Sequence, residues 1–288
     1  MTFFLSYLVL AQIFAIASIS ANLLVGVAGI FAVSQAAIFG IGAYLVANLI
    51  SAEIIPFFPA LILAVVLGAS INVLAALPAL RISGDYFVVT SFGLQIVATT
   101  VFVNMSDWTG GAAGMVFTMP DYFGIEWWEP ANFLMLSTPL LLLACLVFWL
   151  LMRSPFGKTI SAIREDEIAV VAAGKNVVHA KLGTAGVAGA LAGMGGGLYA
   201  VFLGFIDPSS FDIVVSILLI TMVAVGGART LAGALVGAFL LMSLPQILTL
   251  APVSASVAGP LRQLVYGALL VIFMLYRPQG IAGRKLGA

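Results

Sequence analysis

Residues 153–181 read RSPFGKTISAIREDEIAVVAAGKNVVHAK. This is a polar island in a chain that is otherwise almost continuously apolar. Five of the eleven basic residues lie in it (Arg153, Lys158, Arg164, Lys175 and Lys181), with three of the eleven acids (Glu165, Asp166 and Glu167). Long apolar runs flank it on both sides, so the chain leaves an apolar solvent here and then returns to it. Over 288 residues, 63% are hydrophobic and 8% charged, whereas a soluble domain carries about 25% charged residues. No soluble core could hide that much apolar surface, and the solvent must be lipid. Backbone in lipid has to satisfy its own hydrogen bonds, and the runs are too long for barrel strands. The expected fold is therefore all-α, a polytopic transmembrane helical bundle forming one transmembrane domain over residues 1–288.

Working outward from the island, apolar runs predict about eight to nine membrane segments. They cover residues 3–26, 29–50, 57–80, 86–105, 131–152, 182–205, 213–225, 231–250 and 261–276. Ser34, Gln35, Gly40 and Gly42 interrupt the second run, which reads either as a full span or as a broken, partly re-entrant one. GGART, residues 226–230, splits another pair, so that region could likewise hold half-helices. RISGD, residues 81–85, is a short polar break. Residues 106–130 form a real loop with Asp107, Asp121, Glu126 and Glu129 but no Lys or Arg. Its Trp108, Trp127 and Trp128 suit a membrane–water interface. The N-terminus lacks a basic leader region and reads as a retained first span.

Basic residues mark the cytoplasmic side in short loops. The island is basic, and so is the tail with Arg277, Arg284 and Lys285; both are expected inside. The acid-only loop 106–130 is expected outside, and the N-terminus with it if all nine runs cross.

Within the island, residues 159–173 contain no Gly or Pro and read as a helix, with Gly174 as its stop. Asp166 could instead cap a second short helix. Ile160, Ile163, Ile168 and Val171 supply an apolar face, beside four consecutive charges at residues 164–167. Such a helix could dock in a groove on a soluble partner; otherwise it is a solvated loop. Gly189, Gly193 and Gly197 recur every fourth residue, as do Gly233 and Gly237, which allows close helix approach, sliding or static. The glycine-rich piece Thr109, Gly110, Gly111, Gly114 lacks the Lys-Ser/Thr of a phosphate loop and reads as a flexible outer turn or gate. No ionisable residue lies squarely inside a span. Arg229, within GGART, is the doubtful case, while Arg81, Asp85, Glu53, Asp207, Asp212 and Arg262 lie at predicted ends. The lone Cys145 excludes an internal disulfide, His179 has no partner spaced for a metal, and no nucleophile–base constellation exists. A conduit rather than an enzyme is expected, with no cofactor and no energy source of its own. A self-contained ion-coupled carrier would show intramembrane acids or symmetric broken helices in two halves, and the acids are missing.

With these residues in view, the chain resembles the M-type (LivM-like) permease subunits of bacterial branched-chain amino-acid ABC importers. The resemblance rests on SGDYFVVTSFGLQIV (83–97), TGGAAGM (109–115), SPFGKTISAIREDEIAVVAAGKNVVHAKL (154–182), VGGARTLAGALVGA (225–238) and YRPQGIAG (276–283). It covers almost the whole chain and departs at Arg229 and Ala112, where small residue and Ser are usual. It implies an inner-membrane location in a bacterial cell. It also implies a second homologous permease, two cytoplasmic ATPases docked on residues 153–182, and a periplasmic substrate-binding protein. The residues it assigns to ATPase coupling are Arg164, Glu165, Asp166, Glu167 and Gly174. Urea, short-chain amides and other amino acids are carried by relatives within the same family. The motor it implies is alternating access driven by the ATPases.

Overall fold

A computed structural model describes residues 2–80, 85–118, 127, 129–250, 255–276 and 279–283. Residues 81–84 of the RISGD break, residues 119–126 and Trp128 of the acidic outer loop, and the basic residues of the tail fall outside these. Helices dominate, as the composition demands. Six are long and apolar enough to cross a membrane, and three shorter apolar ones accompany them. The nine apolar runs thus correspond to nine helical segments among the described residues.

Helix α1 (Thr2–Ala21) continues into a π-helical segment, Asn22–Ala28. Most of this first span is buried, so it is the axis of the bundle and not a peripheral anchor. It ends at Gly29, whose φ of 69° is the left-handed conformation that stops a helix. Residues 29–34 are not helical, and α2 (Gln35–Ser51) begins only afterwards. Seventeen residues rise about 25 Å, short of the roughly 30 Å of hydrocarbon. The broken reading of the second run is therefore the one realised. Helices α3 (Phe57–Ala76) and α4 (Asp85–Asn104) follow; α4 leads through the single turn α5 (Ser106–Thr109) to the strand β1 (Met115–Val116). Helix α6 (Pro130–Arg153) leads into the island, and α9 (Val177–Leu203) leads out of it.

The second half repeats this construction in the opposite direction. Helix α9 also stops at a left-handed glycine, Gly204 with φ 63°. A non-α segment follows, with strand β2 (Phe205–Ile206) and a 3-10 turn, Pro208–Phe211. Helix α10 (Ile213–Gly226) has only fourteen residues. Helices α11 (Leu231–Leu250) and α12 (Ala255–Tyr276) complete the chain. The second break therefore precedes α10. Residues 226–230 are a tight turn between helices, and α11 is continuous.

Two sets of contacts define the ends of the bundle. At one end, β1 pairs antiparallel with β2, Met115 opposite Ile206, and Asn48 Nδ2 donates to the Trp108 carbonyl at 2.6 Å. At the other, the island meets residues 226–230 and 279–283: Glu165 pairs with Arg229, and the Ile281 and Ala282 amides donate to the Val225 and Gly226 carbonyls. The island and residues 279–283 of the tail share one end, as the basic-residue parity requires. Helix α1 runs toward the island end and α9 away from it, so the two broken units are antiparallel.

Candidate functional site

The expected helix within residues 153–181 is in fact two. Serine 154 caps α7 (Pro155–Glu165) by accepting from the Gly157 amide at 3.2 Å. Asp166 ends that helix and caps α8 (Glu167–Ala172), its Oδ1 accepting from the Ala169 amide at 3.0 Å. Asn176 then caps α9 through the His179 amide, also at 3.0 Å. Short polar side chains at these positions satisfy the free amides of a first turn. Gly174, at φ 75°, makes the turn between α8 and α9.

This geometry separates the four consecutive charges. The Arg164 guanidinium turns into the bundle and donates to the Gly26 carbonyl in the π-helix. Partial burial and the neighbouring Arg229 both lower its pKa, while Glu165 acts the other way. Glu165 pairs with Arg229 at 3.2 Å. Asp166 is spent on the cap. Glu167 receives both of its hydrogen bonds from Lys181 Nζ, at 2.8 and 2.9 Å. The expected apolar face divides as well: Ile160 and Ile163 are buried in the bundle, whereas Ile168 is 82% and Val171 57% exposed. What α8 presents outward is thus an apolar tip. Beside it, between α7 and α8, runs a groove of about 590 Å³ with Lys158 and Lys175 on its walls.

From α7 the contacts lead to the first break and to the 226–230 turn. Arg164 holds the end of the π-helix, and a Cβ on Gly29 would sit 2.8 Å from Arg164 Cγ. Arg229 lies in the 226–230 turn, with φ 71°. Asn22, fully buried, ties the two together. Its Oδ1 accepts from the Arg229 amide at 2.9 Å, and its Nδ2 donates to the Thr230 carbonyl at 2.9 Å.

A second junction lies halfway along α4, at Gln95. Its Oε1 accepts from the Ala37 amide at the start of α2 at 3.0 Å. Its Nε2 donates to the Phe211 carbonyl, just ahead of α10, at 2.7 Å. Ser216 of α10 accepts from the Ala36 amide at 3.1 Å and donates to Gln95 Oε1 at 3.2 Å. Ser91 accepts from the Val33 amide at 3.0 Å. The amides freed by the first break thus find side-chain partners inside the bundle, the condition for irregular backbone at membrane depth. Neither Gln95 nor Ser216 stands out in the sequence, and the junction could not be read from it.

The glycine stripe of α9 faces α3 and α2. A Cβ on Gly189 would lie 2.2 Å from the Gly68 carbonyl oxygen, and one on Gly193 2.3 Å from that of Ala64. Gly197 faces Leu61 and Val46. Gly233 and Gly237 close the α10–α11 hairpin against the Gly227 and Met222 carbonyls. The outer glycine piece is a pinned bend. Thr109 Oγ1 donates to the Phe102 and Met105 carbonyls and accepts from the Gly111 amide. Gly110, Gly111 and Gly114 carry the positive φ of the bend, and Gly114 packs on the Ile206 carbonyl.

Over residues 3–274 the chain matches the family described as branched-chain amino acid transport system, permease component. It belongs to that family. The permease is 27% identical over 296 residues to the high-affinity branched-chain amino acid transport system permease protein LivM of Salmonella typhimurium, a match covering 94% of this chain and 68% of that one. The LivM protein of Escherichia coli matches to the same extent. A probable branched-chain amino acid transport permease protein LivM of Methanocaldococcus jannaschii is 24% identical, over 78% of this chain and 68% of its own. No solved structure matches. The permease is thus a multi-pass membrane subunit of an ABC importer. Two broken units are present, which is one of the two marks expected of an ion-coupled carrier. Family membership decides against that class, and the breaks are a feature of this permease.

Proposed function

We propose that the permease carries branched-chain amino acids across a bacterial inner membrane by alternating access, in a complex with a second homologous permease, two cytoplasmic ATPases and a periplasmic binding protein. The island end is then cytoplasmic, and the bend at residues 109–116 faces the periplasm. The observation that carries this reading is the outward face of α8. Ile168 and Val171 expose aliphatic side chains at the tip of a short helix outside the lipid, beside a groove with a lysine on each wall. Apolar anchors with a charged surround are the usual make-up of a protein interface, and a short helix in a groove is a standard mode of docking. The coupling role assigned to Arg164, Glu165, Asp166, Glu167 and Gly174 divides accordingly. Arg164 and Glu165 pass movement inward, Asp166 and Gly174 shape the helices, and Glu167 with Lys181 braces α8 against α9.

The test is to purify the complex in nanodiscs with Ile168→Glu and Val171→Glu. Both side chains lie outside the lipid and are exposed, so the permease itself should fold. Co-purified ATPase should fall several-fold or be lost, as truncating an interface anchor removes 2 kcal/mol or more, roughly thirtyfold in affinity. Wild-type ATPase content and wild-type stimulated hydrolysis in both variants would place docking elsewhere.

A further inference from the structure

Between the Gln95 junction and the island end lies a cavity of about 400 Å³. Its walls come from the first break (Val25, Gly29, Phe31), from the far half of α10 (Ile220, Val223, Ala224), from Ala228, and from Leu270 and Phe273 of α12. Apart from these, the lining contains one charged side chain, Arg164. Among the described residues its guanidinium makes one hydrogen bond, to the Gly26 carbonyl, and no ion pair. The nearby carboxylate of Glu165 is taken by Arg229. A cation with unused donors, facing an otherwise apolar cavity, calls for an anion attached to an aliphatic body. The same wall carries the C-terminal end of the π-helix, marked by Val25 and Gly29. The last carbonyls of a helix lack donors from their own chain and carry partial negative charge. A positive group beside the anion is therefore accommodated too.

We infer that this cavity holds a free aliphatic amino acid on the cytoplasmic side of the permease. The carboxylate lies on Arg164, the ammonium lies toward the π-helix end, and the side chain lies among Phe31, Ile220, Val223, Leu270 and Phe273. This rests on the transport reading above and adds to it the residues that would hold the substrate before release. The position suits the role. The cavity is bounded by the first break, by Ala228 of the 226–230 turn and by the α7 arginine, so a movement of α7 alters its charge and its walls together. An acidic or strongly polar amino acid would have to bring its second polar group into the apolar part, at a cost that leaves it unbound.

The experiment uses the permease–ATPase complex in nanodiscs, without the binding protein, and radiolabelled leucine in a proximity binding assay. Saturable binding is expected, with competition by isoleucine and valine and none by glutamate. Leucinamide, which lacks the carboxylate, and 4-methylpentanoate, which lacks the ammonium, should each compete roughly tenfold or more weakly, as befits a lost charge-assisted contact. Ala224→Phe, which fills the cavity, and Arg164→Gln should each weaken leucine binding by a similar factor. The ligand series needs no variant, so it keeps its meaning if Arg164→Gln disturbs the Gly26 contact and the fold. Leucine uptake by the complete wild-type importer, with leucine binding unchanged by Ala224→Phe, would overturn the cavity and leave the transport reading standing. Retention of phosphatidylglycerol in place of leucine would overturn it as well, in favour of a lipid site. If none of the three aliphatic amino acids is taken up, the transport reading itself fails.

Discussion

Arg229 adopts φ 71°, where residues with a Cβ are uncommon. A non-glycine residue held there costs of order 1–3 kcal/mol. Two things could hold it. The ion pair with Glu165 is exposed on the acid's side, 70% for Glu165 against 28% for Arg229, and such pairs contribute about 0–1 kcal/mol. Asn22 is fully buried and bonds both the Arg229 amide and the Thr230 carbonyl. Losing it would leave two backbone groups unpaired, at about 1–3 kcal/mol each. The backbone bonds to Asn22 therefore hold the conformation, and the ion pair serves another purpose. Arg229→Gly should relieve the strain and keep those bonds, so its melting temperature in nanodiscs should equal or exceed the wild type's while leucine uptake drops. Asn22→Leu should melt several degrees lower. A larger loss of melting temperature for Arg229→Gly than for Asn22→Leu would contradict this assignment.

At the scale of elements, the glycine stripe of α9 sets how closely the helices pack. A leucine at Gly193 would meet the Ala64 carbonyl, a backbone atom that cannot swing aside. Gly93 on α4 has nothing within 4 Å of the corresponding position. Gly193→Leu should abolish a monodisperse peak in size-exclusion chromatography, and Gly93→Leu should leave it intact. Normal behaviour of Gly193→Leu would mean that α9 does not pack on α3 as described. The spacing of these glycines is visible in the sequence because every fourth residue shares a helix face. The partner carries a matching run of small residues, Ala60, Ala64 and Gly68 on α3, but a spacing of alanines amid other apolar residues does not by itself say which helix it meets. The break at residues 29–34 was legible from Ser34 and Gln35 amid apolar residues. That at 204–212 was not, since FIDPSSFD reads as an ordinary polar connection, and only its bond from Gln95 reveals how deep it lies. The four charges at residues 164–167 look like one patch on paper. The cap at Asp166 turns the chain between them, so Arg164 reaches into the bundle while Glu165 stays largely exposed beside Arg229.

The whole molecule combines an outward apolar tip on α8, an arginine of α7 turned into the bundle and two antiparallel breaks. Helix α7 touches the first break through Arg164 and the 226–230 turn at the end of α10 through Glu165. Asn22 joins the π-helix to that turn on the island side, and Gln95 connects the two breaks midway along α4. A rigid shift of α7 therefore moves the first break and the α10–α11 turn at once, and packed elements of this kind switch between discrete arrangements. The most direct test compares Glu165→Lys, Arg229→Glu and the double exchange in the reconstituted importer, with leucine transported per ATP hydrolysed as the readout. The pair is worth too little to affect folding, so ATPase attachment and hydrolysis should persist in all three. Leucine per ATP should fall roughly fivefold in each single variant, the factor that about 1 kcal/mol supplies, and recover in the double exchange. An unchanged ratio in both single variants would contradict the claim that α7 drives the first break and the α10–α11 turn together.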